Sequence, residues 1–348
     1  MSKFLFAGAL AASSLFAAPV FAQANLTAET ASVGGATHLA PSHLTEVAGT
    51  SGIANIQLAD GQTLTNSLQN VAEGKTDIAS TPHILPFLMS RGIGPYGKLG
   101  KEKGAELASN LRSIYPYTLG IFFLYAYDAK NIQGWDDLEG KTIFNGPPRG
   151  GALTNGRTII QIATGLKDGE GYTGLQANWG QAASVIGGGE PDAVVLPELF
   201  PSGRISTLGS SGKMTAWSLP KDIYDSEPMQ KYMKAPGSDK VEVPVADLQA
   251  IMGEDWTFVS EDATFRGMAT IGGDVVHKDM DEELVYNLVK VYVASLDALK
   301  AKAPFGDTVN YDNPGLGMCG ANPMKYHKGA VRAWEEAGYD IPDCAEDK

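Results

Sequence analysis

Two copies of one helix-to-strand junction occur in the sequence, and they constrain the fold more than any other feature. In the first copy Gly74, which can end a helix, is followed three residues later by Asp77 and an apolar run. In the second copy Gly189 is followed at the same spacing by Asp192 and another apolar run. Helices that alternate with buried strands form parallel sheets with right-handed crossovers. The repeat therefore predicts two α/β units of the same design.

Hydrophobic periodicity and turn residues predict the individual elements around the two junctions. Near the first we expect strands over residues 30–33, 53–58 and 77–80 and helices over 38–48 and 64–72. Near the second we expect strands over 142–144 and 192–196 and helices over 153–164 and 181–186. Further along, one long amphipathic helix is expected over 282–302, whereas residues 214–262 give no clear pattern.

The order of these elements in a chain of 348 residues predicts an α/β fold with two lobes joined by crossing strands. We expect residues 25–125 and 265–303 to form lobe 1 and residues 126–264 to form lobe 2. Residues 304–348, rich in Gly, Pro and Asn, are expected to form a tail that wraps over the surface. Parallel sheets bind ligands beyond the carboxyl ends of their strands, and clefts between domains are common pockets. A ligand site is therefore expected between the lobes.

The N-terminal segment 1–24 is typical of a secretory signal peptide. Lys3 supplies a positive charge, residues 4–16 form a short apolar run, and small residues allow cleavage near Ala22 or Ala24. The rest of the sequence has no run of about 18 apolar residues, so a soluble periplasmic protein is expected. Loss of Lys3 changes the net charge from −13 to −14. A chain this acidic is not expected to bind nucleic acid.

Two cysteines, Cys319 and Cys344, occur near the C-terminus. In an exported protein an even number of cysteines predicts a disulfide, and this one would close a loop of about 25 residues. Such a loop contributes roughly 3 kcal/mol in the chain-entropy description. The spacing differs from the CxxC motif of redox and metal sites, so a structural disulfide that ties down the tail is expected.

Three predicted helix starts offer backbone N–H groups that would bind an anion such as a carboxylate. The candidate ligand-binding residues at these starts are Gly35, Ala36, Thr37, His38, Gln62, Thr63, Arg149, Gly150 and Gly151. Ordinary turns and helix caps are the alternative explanation, because threonine is itself a good N-cap.

Arg149 is the most specific of these candidates, because a guanidinium can pair with a carboxylate through two hydrogen bonds. A solvated surface arginine is the alternative. Thr81, Tyr117 and Glu198 follow predicted strands and are further candidates for the cleft, where Glu198 would suit an amino group or a hydroxyl. For each of these three, a structural role is the alternative.

We expect no metal, no cofactor and no catalytic residue. His38, His43 and His83 lie near the predicted site in lobe 1, but zinc needs three or four well-placed ligands, and the sequence has neither a His-rich tract nor an HExxH motif. It also lacks a GxSxG motif before a helix and the GK[ST] ending of a P-loop. A binding protein is therefore favoured, and a secreted α/β enzyme is the alternative.

Four stretches of the chain resemble the TAXI branch of the TRAP transporter solute-binding proteins. They are residues 34–41, Asn66 together with residues 73–79, residues 132–152 and residues 189–200. Their order and spacing extend the similarity over residues 30–300. The chain departs from the family pattern at His38 and Leu39, where two tyrosines are usual, and at residues 149–151, where a Gly-Ser-Gly-Thr type of loop is usual. These departures lie at the predicted cleft, so no particular ligand is transferred.

This resemblance implies a type II-like periplasmic binding protein whose two lobes close about a hinge over a small-molecule solute. It implies small organic acids, including amino acids and dicarboxylates, as the usual ligands. It also implies an integral-membrane TRAP permease as the partner, and a monomer as the default state. An ABC-importer receptor and a periplasmic sensor module are the alternatives, because they share the same two lobes.

Overall fold

A computed structural model of the chain describes residues 23–31, 33–320 and 324–347. Most of the predicted signal peptide, including the cleavage position near Ala22, lies outside these residues. The first described strand begins at Ala24, the other predicted cleavage position. Across the described ranges, no helix combines the length and apolarity that a membrane span requires.

The chain alternates helices and strands over most of its length. The first part contains β1 (Ala24–Glu29), α1 (Ala36–Thr50), β2 (Ala54–Ala59), α2 (Leu64–Ala72), β3 (Ile78–Pro82), α3 (Ile84–Arg91), α4 (Gly100–Ser109) and β4 (Leu111–Tyr127). The middle part contains β5 (Thr142–Phe144), α5 (Gly151–Thr164), β6 (Thr173–Leu175), α6 (Trp179–Gly187), β7 (Ala193–Glu198), α7 (Gly203–Ser211), β8 (Met214–Trp217), α8 (Lys221–Asp225), α9 (Glu227–Tyr232), β9 (Ser238–Pro244), α10 (Val245–Met252) and β10 (Trp256–Val259). The last part contains β11 (Thr264–His277), α11 (Glu282–Val293), α12 (Leu296–Lys300) and α13 (Lys328–Glu336).

Two sets of parallel strands are joined by two long strands. β2, β1 and β3 form the first set, and β7, β5 and β6 form the second. The long strands β4 and β11 are antiparallel to each other and lie between the sets, since β3 pairs with the C-terminal part of β11 and β7 with that of β4. β8 and β9 add to the second set through β4 and β11. The predicted α/β fold with two lobes joined by crossing strands is therefore confirmed.

The hydrophobic core is divided between the two lobes. Tyr115 and Tyr117, from the first half of β4, belong to the cluster under the first set of strands. Phe122 and Phe123 belong to two other clusters, on opposite faces of the second set, because consecutive residues of a strand point to opposite faces. β4 therefore passes from lobe 1 to lobe 2 between Tyr117 and Phe122. The remaining predicted boundaries of the lobes stay a prediction.

The tail is part of the lobe 1 core, so the expectation of a surface wrap is wrong. Tyr311, Tyr326 and Trp334 are fully buried in the lobe 1 cluster. The indole Nε1 of Trp334, in α13, donates a hydrogen bond of 3.1 Å to the carbonyl oxygen of Ile114 in β4. The Gly, Pro and Asn content of the tail is typical of loops, but its aromatic residues supply apolar surface that loops rarely carry.

The tail also covers one edge of β4. The other edge of this half of the strand is paired with β11. The backbone N–H of Ser113 donates to the carbonyl oxygen of Lys325 at 2.8 Å, and the carbonyl of Ser113 accepts from the N–H of His327 at 3.0 Å. Further along β4, the N–H of Thr118 donates to the carbonyl oxygen of Val309 at 2.8 Å. The tail thus satisfies backbone groups that an open sheet edge would expose.

Two predicted elements differ from the structure. In the strand predicted over 30–33, the described residues Thr30, Ala31 and Val33 lie between β1 and α1 outside any strand, and Val33 is 68% exposed. The helix predicted over 282–302 is interrupted between α11 and α12. There the hydroxyl of Ser295 lies 2.7 Å from the carbonyl oxygen of Val291 and 2.8 Å from His43 Nε2, and side chains that bond to the preceding turn bend or break helices.

The predicted disulfide between Cys319 and Cys344 is present. The two Cα atoms lie 5.7 Å apart, within the range that a disulfide requires. The bond spans 25 residues of the tail.

Candidate functional site

The strand directions place the carboxyl ends of the two parallel sets opposite each other. β3 runs in the same direction as β4, because both are antiparallel to β11. β7 runs in the opposite direction, because it is antiparallel to β4. The strands of lobe 1 therefore end facing lobe 2, and those of lobe 2 end facing lobe 1. Ligands bind at such carboxyl ends, so the cleft between these edges is the candidate site.

Two helix N-termini meet across this cleft. Gly151 is the first residue of α5 in lobe 2, and Ile84 is the first residue of α3 in lobe 1. A methyl group added to Gly151 would lie 3.1 Å from Cγ2 of Ile84 and 3.9 Å from Cβ of Pro82. Neither helix has a side-chain hydrogen bond at its N-cap. Their first N–H groups and their dipoles are therefore directed towards the cleft from both sides.

The predicted residues of lobe 1 lie at the starts of two more helices. Gly35 is the N-cap of α1 and Thr63 is the N-cap of α2, both without a side-chain hydrogen bond. Gln62 is exposed and donates to the carbonyl oxygen of Asp60 at 2.9 Å. Thr37 contributes its carbonyl oxygen to the fold, since that oxygen accepts from the hydroxyls of Thr30 and Ser80.

The remaining residues at the starts of α1 and α5 differ in exposure. Ala36 is buried, and His38 is half-buried beside the hydroxyl of Ser42. Arg149 is exposed, and its side chain has no hydrogen-bond or ion-pair partner among the described residues. Gly150 is the N-cap of α5. A free guanidinium thus lies two residues before the first turn of α5. The N-terminus of the helix and the guanidinium both attract a negatively charged group.

Two of the other predicted residues are buried and already have partners. Thr81 is fully buried, and its hydroxyl lies 3.2 Å from the carbonyl oxygen of Pro82. Glu198, at the end of β7, accepts two hydrogen bonds from Arg204, at 2.9 and 2.7 Å, and one from the hydroxyl of Tyr125 at 2.7 Å. The ligand-binding roles of these residues stay predictions.

Tyr117, the last predicted residue, belongs to a buried network around Asp274. The carboxylate of Asp274 accepts from the hydroxyls of Ser80 at 2.7 Å, Tyr115 at 2.8 Å and Tyr117 at 2.7 Å. Burial raises the pKa of Asp274, although these three hydrogen bonds oppose the rise. The network joins β3, β4 and β11 where the strands of lobe 1 approach the cleft. The hydroxyl of Ser80 also lies within hydrogen-bond distance of the carbonyl oxygen of Thr37, so the network around Asp274 also fixes the start of α1.

His83 is a buried residue that the sequence did not distinguish from the other histidines. It follows β3 and is 1% exposed. Its backbone N–H donates to the carbonyl oxygen of Ile271 at 3.0 Å, and its Nδ1 lies 3.3 Å from the carbonyl oxygen of Gly317 in the tail. A carbonyl can only accept, so Nδ1 carries the proton. Nε2 is buried and has no partner among the described residues.

The histidines do not form a metal site in the described part of the chain. No group of three or more His, Cys, Asp or Glu side chains is placed to hold a metal ion there. His43 faces Ser295 within lobe 1, and His83 faces the tail.

Acidification is expected to destabilise the protein between pH 6.5 and 4, in part through His83. Burial, partly offset by the hydrogen bond to Gly317, lowers the pKa of His83 from 6.5 to about 4. The unfolded chain therefore binds a proton below pH 6.5 that the folded chain excludes, and stability present above pH 6.5 is lost as the pH falls towards 4. The loss from this group is on the order of 3 kcal/mol. Urea unfolding at pH 7.5 and 4.5 should show a smaller difference for His83→Asn than for the wild type.

His38→Asn is the matched control for this experiment, and it should keep the pH dependence of the wild type. Equal pH dependence in both variants would assign the acid sensitivity to another group. His43 is such a group, because burial also lowers its pKa to about 4.

Comparison with known proteins gives one family match and several distant structural similarities. Residues 29–338 match the sequence profile of the NMT1-like family. No curated protein matches the chain significantly.

Three solved structures illustrate the structural similarities. A protein of Bordetella bronchiseptica RB50 is 16% identical at a TM-score of 0.48, with 92% of this chain and 86% of that chain covered. DctP7, a Bordetella pertussis extracytoplasmic solute receptor binding pyroglutamic acid, is 14% identical at a TM-score of 0.41, with 90% of this chain and 92% of that chain covered. The periplasmic aliphatic sulphonate binding protein SsuA from Escherichia coli is 15% identical at a TM-score of 0.38, with 55% of this chain and 58% of that chain covered. At these scores the fold assignment rests on the strand order described above.

Proposed function

This chain belongs to the NMT1-like family, and from its two-lobed fold and facing helix starts we propose that it is an extracytoplasmic solute-binding receptor of a transporter. Its role is to bind a small-molecule solute between the lobes and deliver it to a membrane permease. The pattern of residues 1–24 and the disulfide support a periplasmic location. No catalytic function is proposed.

The observation that carries this proposal is the meeting of α3 and α5 across the cleft. Two helix N-termini without side-chain caps, brought together from opposite lobes, suit a ligand that is negatively charged. Arg149, free of other partners in the described structure, adds a positive charge next to α5. The solute class that this arrangement supports is a small organic acid, either a carboxylate or an amino acid.

Closure of the lobes would strengthen this binding. A ligand that contacts both lobes favours the closed form over the open one, and exclusion of water increases the strength of each polar contact. The residues that we propose for the ligand site are those at the helix starts, namely Gly35, Ala36, Thr37, His38, Gln62, Thr63, Arg149, Gly150 and Gly151. Thr81, Tyr117 and Glu198 stay secondary candidates, because each has a partner within its own lobe.

A thermal-shift screen of the chain from residue 25 against organic acids and amino acids tests this function. One acid is expected to raise the melting temperature, because a ligand that binds only the folded state stabilises it. Titration calorimetry should then give a Kd that Arg149→Ala weakens about 10- to 100-fold, as expected for the loss of a charge-assisted pair.

Arg91→Ala is the matched control, since it removes an exposed arginine whose guanidinium lies over the ring of Phe87. Its Kd should equal that of the wild type. A flat response to every acid, with a strong response to zinc, would contradict the anion site.

The finer proposal is that the partner is a TRAP permease of the TAXI type, supported by the four sequence stretches between residues 34 and 200. An ABC importer is the alternative. Uptake of the identified solute into proteoliposomes separates them, because a TRAP permease needs an ion gradient whereas an ABC importer needs ATP.

A further inference from the structure

The segment Val309–Gly320, which we call the strap, runs beside the point where β4 passes between the lobes. Thr118 of β4 is bound to the strap twice. Its N–H donates to the carbonyl oxygen of Val309 at 2.8 Å, and its hydroxyl lies 3.3 Å from Nδ2 of Asn310. Tyr311, next along the strap, is buried against the ring of Tyr117 with the ring centres 5.7 Å apart. The strap is therefore fixed to the first crossing strand on the lobe 1 side.

The strap then crosses to the second crossing strand and to lobe 2. Leu316, 8% exposed, forms a small apolar cluster with Ala269 and Ile271 of β11, and Val241 of β9 packs against this cluster. Val241 pairs with β11 on its lobe 2 half. The pairing of β11 with β4 shifts register between Thr270 and Ile271, which marks the place where the crossing strands bend. The cluster that contains Leu316 thus extends over both sides of that place.

Gly317 brings the strap close enough to join the contacts between the lobes. A methyl group added to it would lie 2.7 Å from Cγ2 of Ile271. Its carbonyl oxygen faces His83 Nδ1 at 3.3 Å. Ile271 itself accepts from the N–H of His83 in lobe 1 and donates to the carbonyl oxygen of Gly237 in the loop before β9, at 2.8 Å. One residue of β11 therefore connects lobe 1, the loop before β9 and the strap.

The disulfide holds the far end of the strap to lobe 1. Cys319 is exposed, whereas Cys344 lies against the lobe 1 core. The carbonyl oxygen of Cys344 accepts from Nζ of Lys325 at 2.8 Å, and the next residue, Ala345, is fully buried. The exposed position of Cys319 favours attack on the bond by a thiol reductant.

We propose that the strap is a third hinge element that resists separation of the lobes, and that the disulfide keeps it in place. Opening rotates β9 and the first half of β11 away from lobe 1, so either the cluster of Leu316 with Ala269 and Ile271 separates or the strap leaves β4. While the disulfide is intact, the strap cannot move with lobe 2. Reduction releases this restraint and shifts the free protein towards the open form. The inference concerns the free protein and is independent of which solute it binds.

Amide hydrogen exchange of the full-length mature chain tests this inference without any ligand. The two reporters are the N–H groups of Ile271 and His83, whose hydrogen bonds lie where β11 passes between the lobes and which we expect to be exposed when the lobes separate. In Leu316→Ala, and in a double variant with Cys319→Ser and Cys344→Ser, exchange at both amides should be at least about tenfold faster than in the wild type. Reduction of the wild type with a thiol should have the same effect.

Val331→Ala is the matched control, because it removes apolar atoms from α13 on the lobe 1 core without touching the strap. Its exchange at Ile271 and His83 should stay within about twofold of the wild type. Unchanged exchange at both amides in Leu316→Ala and in the double variant would overturn the inference. Equal acceleration throughout β1 and β2 in both would also overturn it, since the disulfide would then only stabilise lobe 1 as a whole. Leu316→Ala keeps the disulfide, so the test stands if the double variant does not fold.

Discussion

Replacing Glu198 with alanine is expected to lower the free energy of unfolding by about 3–5 kcal/mol. The carboxylate is 1% exposed and holds the guanidinium of Arg204 through two hydrogen bonds. Without it, Arg204 keeps a positive charge in a site where its side chain is only 23% exposed, and Tyr125 loses the acceptor of its hydroxyl. An uncompensated buried charge costs more than the pair itself contributes. Urea unfolding at pH 7.5 gives the measurement.

Asp225→Ala is the matched control, because this carboxylate forms an exposed ion pair with Lys221. Such pairs contribute about 0–1 kcal/mol. The comparison also decides whether Glu198 has a structural role, as the partner of Arg204, or a ligand-binding role. If Glu198→Ala costs no more than Asp225→Ala but weakens the binding of the identified solute, the carboxylate is a ligand-binding group and the structural role is wrong.

Replacing Asp274 with alanine is expected to cost about 3–5 kcal/mol, because it leaves the hydroxyls of Ser80, Tyr115 and Tyr117 without their common acceptor. Each unsatisfied buried group costs about 1–3 kcal/mol, part of which is recovered because the buried carboxylate is itself unfavourable. The measurement is the same urea titration. Tyr115→Phe removes one of the three donors and should cost about 1 kcal/mol.

The pH dependence of this group provides a second check. Burial raises the pKa of Asp274 above 3.8, so the folded chain retains a proton that the unfolded chain has lost. The contribution of Asp274 to stability therefore falls as the pH rises from 3.8 towards the raised pKa, opposite in sign to the contribution of His83. Asp274→Asn cannot titrate and should lack this fall. If the variant shows the same pH dependence above pH 3.8 as the wild type, the effect belongs to other carboxylates.

The helices and strands next to the two repeated junctions could be predicted from the sequence because their signals are local. Apolar residues at helical spacing before Gly74 fix the position of α2, and the short apolar run at 142–144 fixes β5. The starts of α1, α2 and α5 are predicted to face one cleft because the direction of parallel strands determines where the following helices begin, and this assignment stays a prediction.

The network around Asp274 and the burial of His83 depend on contacts between residues that are far apart in the sequence. Asp274 and Ser80 are 194 residues apart, and no local pattern relates a carboxylate on one strand to a hydroxyl on another. Burial of His83 depends on Gly317 in the same way. The prediction of a surface tail is wrong for a different reason. The Gly and Pro content of the tail indicates loops, whereas its aromatic residues pack into the core. Ala330, Ala333 and Trp334, spaced as on one face of a helix, are the signal that predicts its buried side.

The path of β11 also determines the order in which the chain can fold. Because β3, which pairs with β1 along one edge, pairs with β11 along the other, lobe 1 lacks a central strand until His277 has been added to the growing chain. Lobe 2 gathers strands that lie close together in the sequence, so a chain that leaves a ribosome or a translocation pore N-terminus first can assemble it earlier. Lobe 1 must wait for almost the whole polypeptide, since Trp334 and Ala345 belong to its core. The apolar core of lobe 1 thus stays incomplete, and its surface accessible to chaperones, until synthesis is nearly complete.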